Sequence, residues 1–334
     1  MVNVKASFGL GLPLSAGASA WDDSLNFQRM REVVMACEDL GFDSVWAPDH
    51  IMLGRDSEVL EAWTVLTALS QATETMHLGT LVSCPTHRSP AMLAKVAATL
   101  DVISNGRVEL GIGAGWNGAE QLAYGLPWEE VPKARVERLV ETVEIVRGLW
   151  THDKFTFKGK YYSVTDAVCS PKPLQKPSPR IFIGGRGEQL VLRAVAKYAD
   201  GWNIDEVSPE DYAHKLDVIR EHCHSVGRPF REIEKSLETY LMITDRTEQE
   251  ERIVEWMNWQ TNSNPERIRQ GKPPVKLTRE QVKKEIIFGS IEEVTERLGR
   301  YIDVGVEKFI VYFMDYPSLN SILPFAEQVV PSLA

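Results

Sequence analysis

Val4-Lys5-Ala6-Ser7-Phe8-Gly9-Leu10-Gly11-Leu12-Pro13 is an apolar run with two glycines that ends on a proline. It predicts a first strand over 4–12. In a doubly wound dinucleotide-binding sheet, a glycine-rich turn directly after such a strand opens a helix. Here Pro13 follows Gly9-x-Gly11, and no helical pattern starts until residue 25. A closed parallel barrel is the other way to arrange alternating strands and helices, and it is favoured. Lys5, the apolar stretch and Ala18-Ser19-Ala20 faintly imitate a secretory leader. Ser7, Gly9, Gly11 and Pro13 interrupt the stretch, so it reads as a strand running into a loop.

Outward from this run, strand patterns at 43–47, 77–84, 108–114, 180–184, 201–204, 237–243 and 307–313 alternate with helical ones. The helical patterns cover 25–40, 61–73, 90–104, 132–150, 188–198, 209–227 and 290–304, and 319–330 closes the chain. Several carry their own end signals. Gly41 stops the first helix, Ser89-Pro90 opens the third, and Ser290 with Glu293 forms a capping box. About eight βα units in strict alternation predict one α/β domain over 1–334, a (β/α)8 TIM-type barrel.

Two insertions interrupt the repeat, at about 151–179 after the fourth strand and 245–288 after the seventh. The first holds Pro171, Pro173, Pro177 and Pro179 and a hairpin pattern over 155–162. The second is charged and partly helical, with Trp256, Trp259 and Pro273-Pro274. It emerges where barrel active sites lie and reads as a lid or as a dimer-contact arm.

The 37 basic and 47 acidic residues give a net charge of −10, which argues against a nucleic-acid partner. No run of about 18 apolar residues predicts a membrane span. Cys37, Cys84, Cys169 and Cys223 are scattered without a CxxC pair, so neither a disulfide framework nor a thiolate zinc site is expected. His222-Cys223-His224 sits on a helix, where i and i+2 diverge, and predicts no metal site. A cytoplasmic protein is expected.

Barrel chemistry sits at strand C-terminal ends. That rule nominates Asp49-His50 after the second strand as an acid/base pair, with a carboxylate to orient the imidazole. A capped turn beside a hydrogen-bonded histidine is the bland alternative. Cys84 after the third strand lacks an activating base and reads as a packed residue. Gly111, Gly113 and Gly115 clear one strand face, either for something flat or for close packing, with Trp116 and Asn117 at the lip. Gly184-Gly185-Arg186-Gly187 precedes a helix and could cradle an anion on backbone N–H groups. Asn203 ends the sixth strand. Trp21, Trp46, Trp63, Trp116 and Tyr124 near these ends suggest an apolar substrate pocket.

At these strand ends the sequence resembles the bacterial-luciferase-like flavin and deazaflavin oxidoreductases. The stretches are 41–50 (ending Pro48-Asp49-His50), Leu78-Gly79-Thr80-Leu81-Val82, Arg88-Ser89-Pro90-Ala91 with Ala94-Lys95, and 101–107. Further on come Gly111-Ile112-Gly113-Ala114-Gly115-Trp116, Ile183-Gly184-Gly185-Arg186-Gly187, Ala199-Asp200-Gly201-Trp202-Asn203 and 288–293. The wording is most similar to the branch that uses coenzyme F420. The resemblance implies a hydride-transferring oxidoreductase acting on a small organic substrate. A reduced-FMN monooxygenase, or a barrel that binds flavin without chemistry, are the alternatives. It implies that His50 faces the reacting carbon and that Asp49 contacts the polar ring. It implies a bulge with a non-prolyl cis peptide near Leu81-Val82, and the cofactor phosphate at Gly184, Gly185, Arg186 and Gly187. Cys84, Gly115, Trp116, Asn117 and Asn203 complete the implied cofactor contacts, and a homodimer is the family habit. Sugar-phosphate dehydrogenases of that branch carry a glutamate where Trp116 stands, so their substrate is not implied.

Overall fold

The computed structural model describes residues 6–22 and 24–333, so the first two residues of the predicted first strand lie outside the described part. The strands are β1 (Ser7–Gly11), β2 (Ser44–Ala47), β3 (His77–Thr80), β4 (Val108–Gly113), β5 (Phe155–Lys158), β6 (Ser163–Ala167), β7 (Arg180–Gly184), β8 (Gly201–Asp205), β9 (Glu234–Ile243), β10 (Ile287–Gly289) and β11 (Lys308–Phe313). The helices are α1 (Phe27–Asp39), α2 (Ala62–Ser70), α3 (Pro90–Ile103), α4 (Gly118–Ala123), α5 (Pro132–Thr151), α6 (Val191–Tyr198), α7 (Pro209–Val226), α8 (Thr247–Ser263), α9 (Pro265–Arg269), α10 (Arg279–Glu285) and α11 (Ile291–Val304).

The sheet runs β9-β11-β1-β2-β3-β4-β7-β8 in parallel, and β9 also pairs with β8, which closes an eight-stranded barrel. β9 is long enough to pair with a third strand, β10, at 241–243. The predicted end signals act as read. Gly41, at φ +87, follows the end of α1, Ser89 caps α3 with Pro90 in the first turn, and Ser290 and Glu293 form a capping box on α11. Each cap satisfies backbone donors that a helix end leaves open.

Alternate residues of each strand face inward. At the N-terminal end of the barrel Lys308 lies 3.3 Å from Glu109 and 3.7 Å from Asp43 and Glu234, with Arg180 beside both glutamates. These paired charges fill the bottom, where a lone buried charge would be costly. Above them Trp46, Phe182 and Ile310 fill the middle, and Tyr312 and Tyr240 approach the top. The barrel is therefore a packed core that is solid below and chemically open only at the strand C-termini.

The hairpin predicted over 155–162 extends further, as the antiparallel pair β5–β6, whose second strand starts only at Ser163. The 245–288 segment folds as α8–α10 over the strand-end loops. Trp256 Nε1 donates to Gly17 O at 2.9 Å, Arg252 Nε to Ala20 O at 2.9 Å, and Ala119 N to Glu266 Oε2 at 3.2 Å. Among the described residues no helix is long and apolar enough to cross a membrane.

Candidate active site

The nominated residues fall at the ends of β2, β3, β4, β7 and β8, five successive neighbours in the sheet. They therefore line one continuous arc of the barrel mouth.

Asp49 follows β2 and is 2% exposed. Its Oδ2 accepts from Ser83 Oγ at 2.6 Å, Arg88 Nη1 at 2.6 Å and Trp63 Nε1 at 3.3 Å. Its Oδ1 is buried and has no hydrogen-bond partner among the described residues. One oxygen is thus held rigidly by three donors while the other is an open acceptor. A buried acceptor of this kind is expected to meet a donor from a ligand or water.

His50 does not use Asp49. Its Nδ1 lies 3.0 Å from Glu120 Oε2 and 3.3 Å from Oε1. The expectation that Asp49 orients the imidazole is therefore corrected: Glu120, in the first turn of α4, does so. Glu120 is 1% exposed and also accepts from the N–H groups of Ile51 and Met52, both at 3.0 Å. His87 Nε2 sits 3.2 Å from its Oε1. Burial raises the Glu120 pKa, but the hydrogen bonds from His50 and His87 outweigh it and bring it down to about 2. An ionised Glu120 fixes hydrogen on Nδ1 of His50. That leaves Nε2, which no described residue binds, as the nitrogen that gains or loses a proton. Trp116 packs edge-on to the His50 ring, 5.3 Å between centroids and 68° between planes.

After β3 the chain leaves regular pairing, and the Leu81–Val82 peptide is cis, at the position the resemblance implies. Ser83 then rejoins β4 through Ser83 N to Gly111 O at 2.8 Å and Gly113 N to Ser83 O at 3.0 Å. The glycines of β4 exist for this bulge. A Cβ on Gly111 would meet Thr80 O at 1.9 Å, and one on Gly113 would meet Val82 Cγ2 at 2.6 Å. The cleared face is filled by the protein, which decides for close packing over a flat ligand lying on the strand. Cys84 is buried, which pushes its thiol pKa up, and it contacts Thr86 Oγ1 at 3.0 Å. Gly115 adjoins it, since a Cβ there would meet Cys84 Sγ at 2.7 Å. Asn117 is buried. It caps α4 through the N–H of Glu120 at 3.3 Å and donates to Met52 O at 3.4 Å, so its side chain tethers the loop that carries Glu120 to the loop after β2.

After β7, Gly185 adopts φ +136, open to glycine alone. The N–H groups of Arg186, Gly187, Glu188 and Gln189, ahead of α6, donate to no acceptor among the described residues. This is a row of backbone donors at a helix start, suited to an anion. The Arg186 guanidinium instead pairs with Asp205 Oδ1 at 2.7 Å. Asn203 is buried and lies inside the barrel mouth, between Ser236 Oγ at 2.9 Å and Glu238 Oε2 at 3.4 Å. Burial and the neighbouring Asp205 and Glu285 push Glu206 up to about 7.

The expected aromatic pocket is reduced. Trp46 is in the barrel interior, and Trp63 lies behind Asp49. Trp21 packs beside the α8–α10 segment, and Tyr124 is exposed. Only Trp116 stands at the mouth beside His50. Sequence reading missed Glu120, Ser83 and His87 as parts of the site, took Trp63 for pocket lining where it donates to Asp49, and quoted Arg88 without a role.

Curated relatives align over nearly the whole chain. An F420-dependent glucose-6-phosphate dehydrogenase of Intrasporangium calvum is 30% identical, covering 96% of this chain and 99% of the relative. The same enzyme of Amycolatopsis mediterranei is 28% identical, covering 96% and 98%. Among solved structures, an F420-dependent secondary alcohol dehydrogenase in complex with an F420–acetone adduct superposes with a TM-score of 0.83 at 23% identity, covering 99% of both chains. The coenzyme F420-dependent tetrahydromethanopterin reductase of Methanopyrus kandleri gives 0.79 at 21%, covering 99% and 100%. A monooxygenase of Streptomyces bottropensis gives 0.78 at 22%, covering 98% and 100%. The family model for luciferase-like monooxygenases matches residues 7–308, and with that span, the barrel and the strand-end site in agreement, the chain belongs to the luciferase-like monooxygenase family.

Proposed function

We propose that the chain is an oxidoreductase that transfers a hydride between coenzyme F420 and a small organic substrate. One juxtaposition carries the reading. At consecutive positions after β2, Asp49 offers a buried, unpartnered carboxylate oxygen and His50 an oriented imidazole with Nε2 free. The first suits a donor on a polar heterocycle, and the second suits a proton moved as hydride moves. The curated relatives, F420-dependent dehydrogenases over 96% of the chain, favour the deazaflavin over FMN.

The residues present fit this cofactor. Asp49 Oδ1 would receive a ring N–H, and the free N–H groups at 186–189 would hold the phosphate. The bound deazaflavin supplies a two-electron hydride carrier that hardly reacts with oxygen. His50 takes the hydroxyl proton of an alcohol on Nε2 in one direction and returns it to a carbonyl in the other. Glu120 stabilises the imidazolium that results. Trp116 walls the His50 side, and α8–α10 cover the mouth and exclude water. Trp116, the one nominated aromatic at the mouth beside His50, favours an apolar substrate over a sugar phosphate. A cytoplasmic homodimer accompanies this reading.

The test is cofactor titration of the apoprotein. Coenzyme F420 is expected to bind at least about tenfold tighter than FMN, roughly 1.4 kcal/mol. Tighter FMN binding would overturn the proposal in favour of a reduced-FMN monooxygenase, the activity that the family description names.

A further inference from the structure

Beyond the ends of β3 and β4, the first turns of α5 border an open pocket that the chemistry above does not use. Thr86, Ala114, Trp128, Glu129, Arg135 and Arg138 line it. Both arginines are held by stacking. The Arg135 guanidinium lies 4.6 Å from the Trp128 ring centroid, and that of Arg138 lies 4.5 Å from Tyr161. Arg135 Nη1 donates to the carbonyls of Glu129 at 2.6 Å and Glu130 at 3.0 Å. Arg138 is only 11% exposed, and its Nη2 makes one long contact, 3.5 Å, to Glu129 Oε1. The Nε of each arginine is buried and meets no acceptor among the described residues.

A stacked guanidinium cannot swing freely to find a new partner, so its unpaired Nε–H is a fixed feature. Both arginines line the same pocket one helical turn apart, and two unpaired N–H groups are unfavourable alone and favourable beside an oxyanion. The positive end of α5 adds in the same sense. Glu129 is the single carboxylate lining the pocket, against two cations.

The pocket also adjoins the glycine loop. Ala114 directly follows Gly113, whose register partner across β4–β7 is Gly184. Ala114 thus links the strand ends beside the glycine loop to the pocket. Resting on the cofactor reading above, we infer that Arg135 and Arg138 form a second anion site for the carboxylates of the acidic oligoglutamate tail that coenzyme F420 carries beyond its phosphate.

The experiment compares coenzyme F420 with its tail-less, phosphate-free analogue, 8-hydroxy-5-deazariboflavin, by equilibrium fluorescence titration. Wild type, Arg135→Gln, Arg138→Gln and Arg138→Lys are used, each checked by a thermal melt. Each variant is expected to lose about tenfold in affinity for coenzyme F420 and to keep its affinity for the analogue. Arg138→Lys keeps the charge but lacks the Nε–H, and guards against a misfolded glutamine variant. Equal loss for both ligands, or no loss in a folded variant, overturns the inference. Calorimetry with triglutamate and with inorganic phosphate tests the pocket without the cofactor. Saturable triglutamate binding that the variants lose supports the tail assignment, even if wild type binds no deazaflavin and the proposed function fails. Binding of phosphate alone, or of neither probe, overturns it.

Discussion

Glu120 Oε2 stands 3.0 Å from His50 Nδ1, across 70 positions of sequence, and the same carboxylate accepts the N–H groups of the two residues after His50. One buried charge thus sets both the ring and the backbone that carries it. The hydrogen bonds that hold Glu120 ionised down to about pH 2 are those that keep the proton on Nδ1 and leave Nε2 for chemistry. The orienting carboxylate comes from α4 because Asp49 is already committed to Ser83, Arg88 and Trp63.

Glu120→Gln removes the charge and keeps the shape. The imidazolium loses its counter-ion, so single-turnover hydride transfer is expected to fall roughly 10–100-fold. Glutamine must also meet two backbone donors and His87, so stability drops by about 1–3 kcal/mol. A single-turnover rate equal to that of wild type would remove Glu120 from the mechanism.

His50→Ala should slow the chemical step by roughly 10²–10⁴-fold and change cofactor affinity much less, since the phosphate and ring contacts lie elsewhere. Rapid-mixing of loaded enzyme with a panel of alcohols, ketones and enones reads the first quantity, and cofactor titration the second. A normal chemical step would leave His50 as a packing residue.

For Asp49→Asn, the unpartnered Oδ1 matters most. If that oxygen receives a ring donor, exchanging carboxylate for amide weakens cofactor binding by about 1–3 kcal/mol. Arg88 keeps Glu61 as a partner, so the melting temperature should shift modestly. Unchanged affinity in the folded variant would place the ring away from β2.

The barrel was legible because its signals are local: alternating runs, Ser89-Pro90, the Ser290–Glu293 capping box, and Pro13 where a dinucleotide helix would have begun. So were the positions of the site, since strand ends follow from strands. The partners were not. Asp49-His50 are neighbours in sequence, yet in an extended exit from a strand successive side chains point apart. Glu120, 70 residues on, reaches His50 through tertiary folding alone. Its one local sign was a carboxylate three residues past Asn117 at the start of a short helix. The β4 glycines were read correctly as a cleared face. What fills the face, Val82 on the bulge after β3, follows only from strand registry.

Gly111→Ala tests that packing. The new Cβ would lie 1.9 Å from the Thr80 carbonyl oxygen, a backbone atom that cannot rotate away, so the bulge must shift. A loss of about 1–3 kcal/mol is expected on denaturant unfolding. Gly299→Ala, on α11 with its nearest neighbour 3.9 Å away, is the control and should be neutral or slightly stabilising. Equal effects at the two sites would mean that the β4 glycines are not packing against the bulge.

Glu206 gives a pH dependence whose sign is fixed by its surroundings. Burial first, then Asp205 and Glu285, raise its pKa from 4.5 to about 7, with Arg186 opposing. Between those values the folded chain keeps a proton that the unfolded chain releases. Stability through this group is therefore full below about pH 4.5, falls as pH rises toward 7, and stays low above it. Glu238 is pushed up in the same direction by burial, Asp205 and Glu206, so it extends the decline. Glu206→Gln carries no charge to bury. Its melting temperature should fall less between pH 5 and 7 than that of wild type, and at pH 8 it should exceed wild type. Melts of both proteins across that range decide the matter, and parallel curves would show that Glu206 is solvated and ordinary.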